Sequence, residues 1–355
     1  MAVYYCIFIF LTALSFIDLK KIERIHRTAL IFIVGCILIL LAGLRCDNAD
    51  WDSYSQIFIN ITKGNFFASS DIGFNLFLWL ISLVTKQPVI MFIIIASVSV
   101  SLNIKSYNKY TKYIFVCILV YFVHNYALKE MIQIRVGMAS AICLYSMRYI
   151  YEKKYKQFLF IWTFAITIHF TALIFCLVYF AVRAEFSKKI LLKVLVFSVI
   201  VGSIYPLGSV LKNLLGINDR LDAYIAYGDS GYAQSLGIWT NMNAIKCLMI
   251  FFALYHYYDA ISKTQPYFKT LFYSYSVGIC WLICFNDFAI IGARMSNILL
   301  SVEPILLTSP LYIIKNNSKY IYIVGLVILA YVMFNLNVDP NKIIPYNFYL
   351  SRYTL

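Results

Sequence analysis

Three arginines stand where uncharged apolar segments meet polar linkers. Arg45 lies in GLRCDNADWDSYSQIF (43–58), Arg135 in MIQIRVGMASAICLY (131–145) and Arg294 in FNDFAIIGARMSN (285–297). A guanidinium is a planar fork that binds phosphate bidentately, so three of them brought together would hold a diphosphate. Behind Arg45 come Asp47, Asp50, Trp51, Asp52 and Tyr54. On a helix starting near Asp47, residues Asp47, Asp50 and Tyr54 share one face, with Trp51 and Phe58 on the neighbouring stripe. Carboxylates accept hydrogen bonds from sugar hydroxyls and aromatic rings pack on sugar faces. The competing reading is a solvated loop helix with Trp51 and Tyr54 as interfacial anchors.

The other candidates are single residues. Arg135 sits at a helix start, where the dipole disfavours a cation, followed by the small residues Gly137, Ala139, Ser140 and Ala141 that permit close helix packing. It faces either an anion or, by snorkelling, the headgroups. Arg294 follows Asp287 by seven residues, which on a continuous helix would make a packing pair. His169, between Thr167 and Thr171, interrupts an apolar run, and Glu303 is an acid inside one. Ionisable residues in such segments are functional hypotheses by default, although a lone histidine is also a common satisfied core residue. Asp71 closes the acidic linker 45–71, and Tyr346 lies in the aromatic tail NKIIPYNFYL. No histidine or cysteine spacing fits a metal site, and the nine cysteines read as small core hydrophobes.

The elements that must position these residues are membrane helices. The chain has 355 residues, 62% of them hydrophobic and 13% charged, with mean hydropathy +0.78. Soluble domains carry about 25% charged residues. The net charge of +14 is spread in short clusters between apolar segments, which suits cytoplasmic loops and excludes a nucleic-acid-binding face. Apolar runs recur from 2–17 to 320–334, and the reading is all-α: one polytopic domain over 1–355 with about 10–12 transmembrane or re-entrant helices. The N-terminal run has no basic residue before it and does not read as a cleaved signal. Basic loops such as 18–27, 105–112 and 315–319 are assigned to the cytoplasm. The remaining linkers 45–71, 129–134, 206–240 and 291–294 and the tail 335–355, which carry most of the acids, are placed outside. With this sidedness 72–104 has chain for two short helices but only one net crossing. The run 157–182 fits a hairpin of short helices with its tip near His169, a single long tilted helix being the alternative. Broken membrane helices occur where they are packed in protein or line a wet cavity.

The chain resembles the EpsG-like, Wzy-type bacterial polysaccharide polymerases. The resemblance rests on LRCDNADWDSY, DIGFNLFLWLI, IRVGMASAICLYSMRYIYEKKYKQF, ITIHFTALIF, ARMSN and the terminal PYNF. It implies a fold similar to the multispanning lipid-sugar glycosyltransferases and a multi-pass enzyme of the bacterial inner membrane with its active site facing the periplasm. The implied reaction transfers an oligosaccharide from one polyprenyl-diphosphate carrier to the repeat unit on another, without a cofactor and without a metal. Implied partners are the lipid-linked donor and acceptor, the bilayer and a chain-length regulator protein. On this view Arg135 and Arg294, then Arg45, meet the diphosphate charge. Asp50 and His169 compete as the base, and Trp51, Tyr54, Asp71 and Tyr346 contact substrate. An O-antigen ligase and a flippase of the same lipid-linked sugar are the alternatives. The moderate length of 206–240 disfavours a ligase, and the lack of an internal repeat disfavours a transporter.

Overall fold

Hydrocarbon offers no hydrogen-bond partner, so an uncharged apolar segment satisfies its backbone along its own helix. The structure, a computed structural model, shows this throughout. It describes residues 1–46, 50–205, 207, 210, 237–287, 289–337 and 346–349. Asp47, most of the linker 206–240 and most of the tail 335–355 lie outside the described residues.

Two compact units emerge, Met1–Ala172 with Leu307–Leu355, and Leu173–Leu306. The first contains α1 (Ala2–Ser15), α2 (Arg24–Gly43), α3 (Trp51–Thr62), α4 (Ile72–Ser82), α5 (Pro88–Tyr110), α6 (Ile114–Tyr121), α7 (Ile134–Tyr151) and α8 (Tyr155–Ile168). The second contains α9 (Cys176–Arg183), α10 (Lys188–Ile204), α11 (Met242–His256), α12 (Tyr258–Thr264), α13 (Phe268–Cys284) and α14 (Ala289–Leu299). The chain then returns to the first unit with α15 (Asn316–Asn337). A two-residue ribbon pairs β1 (Arg45–Cys46) with β2 (Asn347–Phe348), antiparallel, with Arg45 opposite Phe348. Among the described residues five helices are long and apolar enough to cross a membrane, six if α11 and α12, bent by 73°, form one span. Ile72–Ser82, Phe170–Arg183 and Phe268–Cys284 are shorter apolar helices.

Three local results refine the sequence reading. The expected outer linker 129–134 is mostly helix: α6 runs on as a π-helical stretch, Phe122–Ile132, with Lys129 and Glu130 buried in it. Glu130 Oε1 accepts the Tyr121 hydroxyl at 2.7 Å and Asn103 Nδ2 at 3.2 Å, and Lys129 Nζ donates to Ser140 Oγ at 3.0 Å. Wider turns free carbonyls, and Asn337 Nδ2 takes that of Val123 at 2.8 Å. Secondly, α3 begins at Trp51, so Asp50 precedes the helix instead of sharing a face within it. Thirdly, α13 ends at Cys284 and α14 starts at Ala289, leaving Asp287 in a turn. The seven-residue spacing from Asp287 to Arg294 therefore does not follow one helix, and the expected linker 291–294 is part of α14.

The break in 157–182 falls at His169. Helix α8 stops at Ile168, His169 is extended (φ −158°, ψ 125°), and 3₁₀ turns follow over Phe170–Phe175. Trp162 Nε1 donates to the Ala172 carbonyl at 2.9 Å, so the chain folds back on α8 instead of continuing. Ten residues of unbroken helix would separate those two groups by about 15 Å.

The second unit holds Glu303, fully buried, its Oε1 2.8 Å from Lys246 Nζ and its Oε2 3.4 Å from the Tyr275 hydroxyl. Removing one partner of such a pair leaves an uncompensated charge and costs about 3–5 kcal/mol, whereas replacing both with apolar residues is often nearly neutral. We expect Glu303→Leu and Lys246→Met each to lower the melting temperature of the purified protein strongly. The double variant should recover most of the loss.

Candidate active site

Asp71 is the residue on which this site converges. It precedes α4, and its backbone carbonyl accepts the Asn75 N–H at 3.0 Å. The turn before it is tied down by buried Asn75, whose Nδ2 donates to the Ser69 carbonyl at 2.8 Å while its Oδ1 accepts the Ser69 hydroxyl at 2.6 Å. The Asp71 carboxylate does not cap its own helix. It turns instead to two residues distant in sequence. Oδ2 accepts Arg135 Nη1 at 2.7 Å and lies 3.1 Å from His169 Nδ1.

Each partner is delivered by an irregularity. Arg135 is the second residue of α7, which starts beside the π-helical stretch because Gly137 lets the two backbones meet: a Cβ there would strike the Lys129 carbonyl. His169 is delivered by the break after α8. Gly73 brings α4 against the end of α8, since a Cβ at Gly73 would meet Thr167 Cβ at 2.6 Å and its backbone carbon at 2.8 Å. The Arg135 guanidinium lies over the Tyr54 ring at 5.5 Å and the Phe74 ring at 5.9 Å, and its buried Nε has no partner. Phe170 meets the imidazole edge-on at 5.3 Å.

Asp71 and His169 are both buried, at 6% and 7% exposure, and Arg135 is partly exposed. Burial alone would raise the Asp71 carboxyl. The His169 hydrogen bond and charge, followed by the Arg135 charge and hydrogen bond, reverse this and hold it below the usual carboxylate range. With Nδ1–H donating to the Asp71 carboxylate, Nε2 is the ring nitrogen left to accept a proton. The arrangement is a carboxylate-oriented imidazole with a cation against the carboxylate. It can orient a hydroxyl and accept its proton.

The remaining sequence candidates are placed as follows. Tyr54 joins the cluster through its ring contact with Arg135. Asp50 stands one turn ahead of it, its carbonyl accepting the Tyr54 N–H at 3.0 Å. Trp51 is buried and stacked on Phe92 at 5.9 Å, which makes it a packing residue in this conformation. Arg45 is 2% exposed, with Nε and Nη1 unpartnered. Burial weakens its hold on its proton, and Tyr4, Tyr126, Tyr346 and Cys46 beside it act in the opposite direction. Tyr346 packs edge-on to Tyr4 at 5.9 Å, and burial pushes its hydroxyl up to about 12. Arg45 and Tyr346 thus form a tyrosine-lined cluster, held by the β1–β2 ribbon. Arg294 is partly exposed on α14, in the other unit. Sequence reasoning treated Asp71 as a substrate contact and missed that it joins Arg135 to His169. The available signal was Gly73 two residues after Asp71 and Thr167 two before His169.

The EpsG family profile matches residues 28–348, a span that holds every candidate site residue read from the sequence. The chain belongs to the EpsG family. It is 24% identical to an amylovoran biosynthesis protein, AmsC, of Erwinia amylovora, over 98% of each chain. No solved structure gives a significant match.

The EpsG chain's close approach at Gly73 can be tested. Overpacking a tight contact typically costs about 1–3 kcal/mol and shifts the backbone. We expect Gly73→Ala to separate Asp71 from His169 and reduce the cell's surface polysaccharide to short material. Gly325→Ala, where a Cβ has open space, should leave it unchanged. Gel analysis of the polysaccharide, with protein level checked by immunoblot, reads both.

Proposed function

We propose that this protein polymerises a bacterial surface polysaccharide at the periplasmic face of the inner membrane. It transfers the growing glycan from one polyprenyl diphosphate to the repeat unit on another. Membership of the EpsG family supports the polysaccharide assignment, and the relative named for amylovoran biosynthesis agrees with it. The observation that carries the chemistry is the shared Asp71 Oδ2, bonded to Arg135 and His169.

In this reading His169 Nε2 takes the proton of the acceptor sugar hydroxyl as its oxygen attacks the anomeric carbon of the donor. A new glycosidic C–O bond forms, and the C–O bond to the diphosphate breaks. Asp71 holds the imidazole in the required tautomer and stabilises the imidazolium that results. The polyprenyl diphosphate leaves with the bonding electron pair, and its charge is met by arginine. Arg135 contributes through the exposed part of its guanidinium and by its charge, part of which Asp71 already compensates. Arg294 is the second candidate. Arg45 comes after them, because reaching a diphosphate requires its tyrosine cluster to open. The geometry favours His169 over Asp50 as the base.

Loss of a general base typically slows a reaction by about 10²–10⁴-fold, and loss of one charge-stabilising donor by about 10²–10³-fold. We expect His169→Gln, Arg135→Lys and Arg294→Lys each to insert normally yet leave single repeat units on the cell-surface acceptor. Lysine keeps the charge but lacks the planar fork. Arg183→Lys should give full-length polymer. Acceptor carrying no repeat unit at all would point to a ligase or a flippase, and full polymer from both outer lysine variants would remove the arginines from the diphosphate site.

A further inference from the structure

At the opposite end of α1 from the Arg45–Tyr346 cluster, the first unit encloses a cavity of about 680 Å³. Tyr4, near the start of α1, contacts Tyr346, whereas Asp18, just past its end, lines this cavity. Fourteen residues of helix put the two regions about 21 Å apart, most of a hydrocarbon core. The lining comes from the α1–α2 linker, the α5–α6 linker and the start of α15. These are three of the basic loops that the charge bias assigns to the cytoplasm.

The lining charges are unbalanced. Lys20, Lys21, Arg27, Lys112 and Lys319 face one carboxylate, Asp18. That carboxylate is already engaged, because its Oδ2 accepts the Phe115 and Val116 N–H groups at 2.7 and 3.0 Å and so caps α6. The cations are also held in place. Lys112 Nζ lies 5.2 Å from the Tyr113 ring centroid and 5.0 Å from that of Tyr312. Its backbone N–H donates to the Tyr312 hydroxyl at 3.0 Å, its carbonyl accepts from Arg27 Nη2, and Lys319 Nζ donates to Asn316 Oδ1 at 2.9 Å. Topology alone needs basic residues in a loop; it does not need them anchored around one space. Partial burial, then the Lys319 charge, holds the Lys112 ammonium below the usual lysine range, as expected of crowded cations that lack an anion.

We propose that this cavity is a second phosphate-binding site, distinct from the Asp71 cluster, and that it takes the headgroup of an anionic phospholipid. Basic pockets between helices on the cytoplasmic side suit such headgroups, and the aromatic rings around Lys112 suit the interfacial depth. The volume accommodates a phosphodiester headgroup, and the flanking α1 and α15 surfaces can carry acyl chains, Ile9, Ile321 and Val324 being exposed.

Native mass spectrometry of the detergent-purified full-length protein, titrated with phosphatidylglycerol or phosphatidylcholine, tests this. Each basic group near a membrane surface adds about 1 kcal/mol of attraction to an anionic lipid, so removing two should weaken binding by about tenfold or more. We expect phosphatidylglycerol to bind preferentially, and Lys112→Gln/Lys319→Gln to lose that preference. Arg27→Gln, which approaches from another loop, should weaken it too. Lys156→Gln/Lys193→Gln, outside the cavity, should keep it. Equal binding of the two lipids, or undiminished preference in both cavity variants, would overturn the proposal. Displacement of the bound lipid by equimolar inorganic pyrophosphate would overturn the lipid assignment in favour of a soluble phosphate. None of these outcomes depends on polymerase activity.

Discussion

A single carboxylate oxygen organises the first unit. In a chain with only 16 acidic residues, Asp71 is buried and shared between Arg135 and His169, which favour its charged form. A buried charge is tolerated only with a partner and hydrogen bonds, and breaking one contact leaves the others uncompensated. Each of the three residues therefore constrains the other two. The imidazole is held by its Nδ1, the guanidinium is held against two aromatic rings, and both favour the charged carboxylate although it is out of water.

This constraint accounts for the irregular backbone around it. A straight α8 would carry His169 past Asp71, so the helix stops at Ile168 and the chain folds back under Trp162. A regular end to α6 would not offer α7 the same seat. The π-helical stretch widens there, and Gly137 docks against the Lys129 carbonyl to set the start of α7, where Arg135 projects. Broken and widened helices are expensive in a membrane unless protein re-satisfies the freed groups. Here Asn337 does so for the Val123 carbonyl in the widened stretch, and Trp162 for the Ala172 carbonyl after the break.

Much of this was legible in the sequence, for physical reasons. Uncharged runs can only be helices in lipid, and a polar histidine inside one marked the break at His169. Charge bias permitted one net crossing where 72–104 has chain for two short helices; the structure has the short α4 and a longer α5 that runs from Pro88 to Tyr110. Arg135 stood out because a cation at a helix start lacks local support. What stayed hidden was pairing across 64 and 98 residues of chain, which no local pattern encodes. The burial of Lys129 and Glu130 was equally hidden: charged residues next to an apolar run read as a loop, and the hydrogen bonds from Asn103, Tyr121 and Ser140 that make burial possible come from elsewhere in the fold. The packing of Trp51 was hidden for a related reason, since an aromatic near a membrane surface fits an interface, a sugar or a packed core equally well, and its stacking on Phe92 joins residues 41 apart in the chain.

The central claim is that Asp71 and His169 act as one catalytic unit. The most direct test is a double-variant cycle on the polymerisation rate, using membranes supplied with lipid-linked repeat unit. Residues that act through one another lose activity non-additively. We predict that Asp71→Asn and His169→Gln each slow polymerisation severely, and that the double variant is no slower than His169→Gln alone. Losses that multiply in the double variant would contradict the account, because the two residues would then be contributing independently.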